Sequence, residues 1–254
     1  MGRCIELASK NIGYTYPNPL VGSVIVCDNK IIGEGSHEKY GESHAEVNAI
    51  NSVEDKRLLK NSTLYVNLEP CNHYGKTPPC TEAIINNNIK KVVIGSQDPN
   101  KLVNGSGIEK LRSSGCNVSV GIMNKECDKL NKRFFTYHKL KRPFIILKWA
   151  ETKDGFISPT KSVNTLKKVN WISGEDAKKL SHKWRSEEHS ILVGVQTIID
   201  DDPILTTRFV EGRSPIRFVL DPNSRIPLDS RILSDNVKTT ILSKKENKLI
   251  PNYT

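Results

Sequence analysis

Four residues in the first third of the chain have the types and spacing of a catalytic metal site. His44 and Glu46 stand at the start of an apolar-periodic segment, and Cys71 and Cys80 follow a β-rich run. One imidazole and two thiolates can bind zinc tetrahedrally and leave a fourth position open for water, which indicates a catalytic site. Zinc would lower the pKa of that water to about 7, and Glu46 would shuttle protons between the water and a leaving group.

Each of these residues also has an ordinary structural interpretation. Ser43-x-x-Glu46 fits a capping box, so Glu46 could serve only the start of a helix. His44 alone would be a surface or core histidine, and the two cysteines could be buried thiols. Together they favour zinc chemistry, because His-x-Glu followed by Pro-Cys and a second Cys is the signature of zinc deaminases.

The spacer between the two cysteines is longer than the Cys-x-x-Cys of that general signature. It reads CNHYGKTPPC, and its basic and hydroxyl side chains suit a phosphate. In this feature the chain closely resembles the deaminase half of the bifunctional riboflavin-biosynthesis deaminase-reductases, over nearly all of residues 1–140. The other stretches that carry the resemblance are PNPLVG (17–22), Gly35-Ser36-His37, Asp98-Pro99-Asn100 and Gly105-Ser106-Gly107.

The resemblance implies zinc-dependent hydrolytic deamination of a diamino-pyrimidinone ribosylamine 5′-phosphate in riboflavin biosynthesis. It implies that His44, Cys71 and Cys80 bind zinc and that Glu46 is the proton donor. The residues that it implies around the substrate are Asn18, His37, His73, Lys76 and Thr77. Without the resemblance, Lys76 would be a solvated loop lysine, and Asn18 a turn residue between two prolines.

The order of expected elements predicts a three-layer α/β domain over residues 1–140, which the resemblance makes cytidine-deaminase-like. The predicted helices cover 4–13, a segment opening at Ser43, 81–88, 106–114 and 125–137. The predicted strands cover 21–27, 31–35, 63–68, 92–95 and 117–121. Residues 139–143 (KLKRP) are polar, end in proline and fit a linker.

A second α/β unit is predicted over residues 141–254. We expect a helix over 175–185 capped by Ser173, and strands over 144–149, 191–195, 216–220 and 239–242. This part resembles the start of the same family's reductase half, which has a dihydrofolate-reductase-like fold and reduces a ribosyl to a ribityl group with NADPH. The implied NADPH contacts are Ala150, Trp171, Thr197 and Asp201. The implied substrate contacts are Lys148, Arg185, Leu205 and Arg208.

Two of these residues have structural alternatives. Arg185 offers a planar guanidinium suited to a phosphate, but it would also suit the last turn of a helix as a cation. Trp171 could equally be a core residue. The family usually has a serine where Val169 stands.

The reductase-like part is also short. The 113 residues from 142 to 254 are about half of what the family's reductase uses. We therefore expect an incomplete domain: a fragment, a decayed reductase, or one completed by another chain. The expected activity is deamination without reduction.

The composition of the chain limits the classes of binding partner that we expect. The chain has 254 residues, 38 Lys and Arg against 28 Asp and Glu, a net charge of +10 and a pI of about 9.3. The excess positive charge indicates either a solvated surface or a phosphorylated partner. Aromatic residues are only 6%, which disfavours a stacking platform for single-stranded nucleic acid.

No apolar run approaches the ~20 residues of a membrane helix, and no signal-peptide stretch is present. We expect a cytoplasmic enzyme with reduced thiols and a small phosphorylated pyrimidine as substrate. Neither nucleic acid nor membrane is an expected partner, and homo-oligomerisation is left open. The alternatives are a nucleic-acid or nucleotide base deaminase and a non-catalytic oligomerisation module. The cysteines assigned to packing are Cys4, Cys27, Cys116 and Cys127.

Overall fold

The computed structural model describes residues 1–158 and 171–244 and divides the chain into two compact units, Met1–Ile145 and Ile146–Thr254. We call them the N-terminal and C-terminal units. In the described ranges no helix combines the length and the apolar character needed to cross a membrane.

The N-terminal unit is built on a five-stranded sheet in the order β2-β1-β3-β4-β5. Strands β1 and β2 form an antiparallel hairpin, β1 pairs antiparallel with β3, and β3, β4 and β5 run parallel. The strands are β1 (Gly22–Cys27), β2 (Lys30–Ser36), β3 (Thr63–Leu68), β4 (Lys91–Ser96) and β5 (Asn117–Val120).

Helices cover both faces of this sheet. They are α1 (Gly2–Ser9), α2 (Ala45–Ser52), α3 (Cys80–Asn86), α4 (Ser106–Ser113), α5 (Asn124–Leu130) and α6 (Lys132–Leu140), with a 3₁₀ helix at Lys56–Asn61. The main core lies under α2, α3 and α4 and includes Ile25, Leu64, Ile84, Ile94 and Leu111. A smaller cluster of Cys4, Leu7 and Val24 lies under α1 on the opposite face. This arrangement confirms the predicted α/β class.

Two buried amides fix the loop that precedes β1. Asn131 accepts the backbone N–H of Leu20 at 2.8 Å and donates to its carbonyl at 2.8 Å. Asn67 donates to the same carbonyl at 2.9 Å and accepts the N–H of Gly22 at 2.7 Å. The single helix predicted over 125–137 is instead two helices that meet at Asn131, the residue that makes these bonds.

Two other expectations about the N-terminal unit need correction. The first helix runs over Gly2–Ser9, not 4–13. The capping box at Ser43 is wrong: α2 begins at Ala45, and its N-cap is His44, whose side chain makes no capping bond. Glu46 is therefore not the partner of a Ser43 cap.

The C-terminal unit contains a parallel sheet in the order β6-β7-β8. Its elements are α7 (Glu175–Glu187), β6 (Ser190–Gly194), α8 (Val195–Asp201), β7 (Ile216–Leu220), a 3₁₀ helix at Arg231–Leu233, and β8 (Thr239–Leu242). Its apolar core includes Val195, Ile198, Val219, Ile232 and Ile241. Fully buried Arg217 pairs with Asp235 and donates to the Ile204 and Val237 carbonyls.

Two predictions for this unit are wrong. The strand expected over 144–149 is not formed: its residues have no regular structure, and Leu147 is 77% exposed. An isolated apolar run gains nothing as a strand unless another strand pairs with it. Ser173 is not the N-cap of α7, because that position is taken by Gly174, which has no side chain to cap with. Val169 lies outside the described residues.

Candidate zinc centre and active-site cavity

His44, Cys71 and Cys80 converge at one end of the N-terminal sheet. Their ligand atoms all lie within 4.8 Å of one another. Nδ1 of His44 is 3.2 Å from the sulfur of Cys80 and 3.5 Å from the sulfur of Cys71. In a tetrahedral site with ordinary zinc–nitrogen and zinc–sulfur bonds, such atoms lie about 3.5 Å apart. The donor set and its spacing therefore fit zinc.

The electrostatics of the two cysteines also suit a cation. Hydrogen bonding from Cys80, the largest effect, holds the pKa of Cys71 well below that of an ordinary thiol, despite burial. The backbone N–H of Cys80 also donates to the Cys71 sulfur at 3.3 Å. Cys80 shows the opposite shift, because its bond to Cys71 and its burial raise its pKa. One thiol is thus already favoured as thiolate, the form that binds metals.

Glu46 lies in the first turn of α2 and is only 3% exposed. Burial is the main reason that its pKa rises to about 7, with a further contribution from the Cys71 thiolate. A carboxyl group that titrates near neutrality can both accept and return a proton at working pH. The side chain shares one cavity with the metal-ligand group.

A short hydrogen-bond chain orients Asn18 in that cavity. Nδ1 of His37 lies 3.1 Å from the Ser43 carbonyl, which can only accept, so this nitrogen carries the proton. Burial lowers the pKa of His37 and keeps the ring neutral, so Nε2 is an acceptor. The Asn18 amide nitrogen, 3.1 Å away, donates to it. The Asn18 carbonyl oxygen is therefore the atom left to accept from a ligand.

The spacer between the cysteines covers another side of the cavity. The ammonium of Lys76 lies 4.1 Å from the centre of the Tyr40 ring, in a cation–π contact. The cavity has a volume of about 460 Å³, enough for a nucleotide-sized ligand. The predicted site residues that line it are Asn18, His37, His44, Glu46, Cys71, His73, Lys76 and Thr77.

Sequence reasoning did not assign several other residues of the cavity wall. They include Tyr40, Glu42, Glu69, Asp98, Asn100, Val103 and Phe134. A signal for Asp98 and Asn100 existed, because they follow β4, and the carboxyl ends of parallel strands meet at one edge of a sheet. Burial, with a smaller contribution from Glu69, raises the pKa of Asp98 to about 7. Phe134 had no local signal beyond its place in an apolar helix.

In the C-terminal unit, part of the predicted reductase set comes together around Thr206. Arg185 donates to its carbonyl at 3.1 Å, and Arg208 donates to its hydroxyl at 3.2 Å. The backbone N–H of Arg208 donates to His182 at 2.9 Å, and burial lowers the pKa of His182 to about 4. Leu205, beside Thr206, is buried in the left-handed conformation at φ 58°.

The predicted NADPH contacts lie in three separate segments of the C-terminal unit. Thr197 and Asp201 both belong to α8. Ala150 lies in the segment without regular structure, as does Lys148 of the predicted substrate contacts. Trp171 is not a core residue, since it is 62% exposed with the Lys178 ammonium 3.9 Å above its ring.

Both units match known protein families. Residues 1–96 match the family described as cytidine and deoxycytidylate deaminase zinc-binding region, and residues 143–250 match the RibD C-terminal domain. The riboflavin biosynthesis protein RibD of Aquifex aeolicus is 46% identical, over 98% of this chain and 68% of that protein. The RibD protein of Escherichia coli is 36% identical, over 97% of this chain and 69% of that protein.

A solved structure agrees. The diaminohydroxyphosphoribosylaminopyrimidine deaminase/5-amino-6-(5-phosphoribosylamino)uracil reductase of Thermotoga maritima superposes with a TM-score of 0.89 at 42% identity. That match covers 97% of this chain and 69% of the solved chain. The chain spans 60% of the RibD protein of Actinobacillus pleuropneumoniae and 68% of that of Aquifex aeolicus, so it covers only part of the length of these relatives.

We predict that the purified protein holds about one zinc per chain and that Cys80→Ala loses most of it, because two donors remain where three are needed. The measurement is zinc content by mass spectrometry, with Cys116→Ala as the control, since that buried cysteine is outside the ligand group. Full zinc retention by Cys80→Ala would remove Cys80 from the site.

Proposed function

Because the chain belongs to the RibD family of riboflavin-biosynthesis deaminase-reductases, we propose that its N-terminal unit deaminates a diamino-pyrimidinone ribosylamine 5′-phosphate. The observation that carries the proposal is the cluster of His44, Cys71 and Cys80, of which His44 and Cys71 line the same cavity as buried Glu46. His44, Cys71 and Cys80 hold the metal in this proposal. When bound, zinc supplies a Lewis acid that makes water nucleophilic at neutral pH.

Glu46 moves the protons of the reaction. The water oxygen bonds to the ring carbon that carries the amino group, while one water proton passes through the Glu46 carboxylate to the adjacent ring nitrogen. The second proton, from the new hydroxyl group, then passes through Glu46 to the amino nitrogen, so the carbon–nitrogen bond breaks, ammonia leaves and a ring carbonyl forms. Burial supports this role, because it keeps the pKa of Glu46 near 7, where both transfers are accessible.

Asn18 and His37 orient the substrate rather than react with it. The neutral His37 ring holds the Asn18 amide so that the carbonyl oxygen faces a ligand donor. A ribose hydroxyl or an exocyclic amine can supply that donor. His73, Lys76 and Thr77 in the spacer are proposed to bind the 5′-phosphate, with Lys76 as a mobile point charge.

The C-terminal unit is proposed to bind NADPH and the deaminated product. Arg185 and Arg208 both donate to Thr206, and two neighbouring guanidinium groups suit a phosphate. Leu205 and Lys148 complete the proposed substrate contacts. The proposed cofactor contacts are Ala150, Trp171, Thr197 and Asp201.

We predict that Glu46→Gln keeps zinc and fold but loses at least about a hundredfold in ammonia release, since the amide cannot take a proton. The assay is ammonia release from the diamino-pyrimidinone phosphate, with exposed Glu54→Gln as the matched control. Near-normal activity in the Glu46 variant would sink the proposed proton transfer.

Lys76→Ala is expected to raise KM roughly tenfold while leaving kcat nearly unchanged, because a phosphate contact far from the reacting carbon stabilises ground and transition states alike. The comparison is between the phosphorylated substrate and its dephosphorylated form, on which the variant should show little further loss. Exposed Lys101→Ala serves as the control. Equal losses on both substrates would show that Lys76 does not meet the phosphate.

For the C-terminal unit, Trp171→Ala is expected to weaken NADPH binding roughly tenfold, which is about 1.4 kcal/mol. The reason is that exposed Trp171 is proposed to contact the cofactor. NADPH fluorescence titration measures the affinity, and Tyr137→Ala, an exposed aromatic of the other unit, is the control. An unchanged affinity in the Trp171 variant would exclude Trp171 from the cofactor site.

A further inference from the structure

Glu69 is a buried carboxylate that the proposed chemistry does not use. It is 4% exposed, and both of its oxygens are occupied by backbone donors. Oε2 accepts the N–H of Asp98 at 3.1 Å and of Gly105 at 3.0 Å. Oε1 accepts the N–H of Gly107 at 3.0 Å and of Ile108 at 3.2 Å. One side chain thus holds four backbone groups of a single segment.

These donors are the two ends of the segment from Asp98 to Ile108. The Gly107 and Ile108 N–H groups belong to the first turn of α4, which has no cap from its own N-cap residue. Such groups have no partner within the helix and need an outside acceptor. A carboxylate also suits the positive end of the helix dipole. Glu69 therefore caps the N-terminus of α4 from outside the helix. It also holds the preceding loop in place through its backbone N–H groups.

The segment from Asp98 to Ile108 forms part of the wall of the active-site cavity. Asp98, Asn100 and Val103 line the cavity that holds the zinc-ligand group and Glu46. The Asp98 carboxylate in turn accepts the Asn100 N–H at 2.7 Å, so the anchor at Asp98 extends to the next wall residue. A displacement of this segment would move these side chains relative to a bound ligand.

The other end of Glu69 is tied to the zinc-binding turn. Glu69 leads through Pro70 directly into Cys71, and its own N–H donates to the Ser96 carbonyl at 2.9 Å. The same short turn therefore carries a proposed zinc ligand and the residue that holds the Asp98–Ile108 segment.

Backbone packing supports the same contact independently. A Cβ on Gly107 would lie 2.0 Å from the Pro70 carbonyl oxygen, so only glycine allows this approach. Gly105 adopts φ 91°, a conformation that also favours glycine. The Gly105-Ser106-Gly107 sequence is thus the backbone counterpart of the Glu69 anchor.

We propose that Glu69 is a positioning residue, which holds the Asp98–Ile108 wall in register with the zinc-binding turn so that the wall meets the substrate correctly. This inference rests on the proposed deaminase function. Its effect should appear mainly in KM, because Asp98, Asn100 and Val103 line the cavity and none of them belongs to the metal-ligand group.

The test is Glu69→Gln in the full-length, zinc-loaded protein, with exposed Glu109→Gln on α4 as the matched control. The amide has the shape of the carboxylate, but its NH₂ group turns a donor towards donors. We expect amide hydrogen exchange over residues 98–108 to accelerate at least tenfold, while β3 keeps its protection. We expect zinc content to stay the same and KM to rise roughly tenfold with a smaller change in kcat.

Gly107→Ala is the second variant, for use if Glu69→Gln does not fold. Its added methyl group would clash with the Pro70 carbonyl oxygen and separate α4 from the zinc-binding turn. It should therefore also accelerate hydrogen exchange over residues 98–108 and raise KM. Unchanged exchange and KM in the variants would overturn the proposal. So would an activity loss that only follows zinc loss, because Glu69 would then support the metal and not the wall. If the unaltered protein releases no ammonia, the deaminase function fails, and the exchange arm still decides whether Glu69 anchors the segment.

Discussion

The parallel pairing of β3 with β4 is the constraint on which the candidate site depends. Their register places Leu68 beside Ser96, so both strands end at the same edge of the sheet. The chain leaving β3 supplies Glu69 and Cys71, and the chain leaving β4 supplies Asp98. Because parallel strands need a crossover, the helix between them must start at that edge, and α3 starts there with Cys80.

Hydrogen bonds to the backbone and the burial of titratable groups then give the site at this edge its fixed geometry and protonation. Buried side chains bind backbone atoms: Asn67 and Asn131 hold the Leu20 loop, and Glu69 holds the segment before α4. Burial also sets the proton positions, since it keeps His37 neutral and raises the pKa of Glu46 to about 7. The cavity is therefore preorganised for substrate and metal, which lowers the cost of reaching a reactive arrangement.

The sequence was enough to single out His44, Cys71 and Cys80, which the structure brings together, and nearby Glu46, because two short motifs and one characteristic spacer mark them locally. It failed where long-range contacts decide the structure. The helix break at Asn131 serves Leu20, more than a hundred residues away. The apolar run at 144–149 lacks the partner that would make it a strand. The role of Glu69 could not be recognised from the sequence, because its hydrogen-bond partners lie about thirty to forty residues further along the chain, at 98–108.

Metal-dependent ammonia release from the diamino-pyrimidinone ribosylamine 5′-phosphate tests the central claim most directly. The zinc-loaded protein should release one ammonia per substrate, the chelator-stripped protein should release almost none, and added zinc should restore the rate at about one equivalent per chain. Ammonia release that survives complete removal of the metal would contradict the account. So would a zinc-loaded, folded protein that leaves this substrate unchanged.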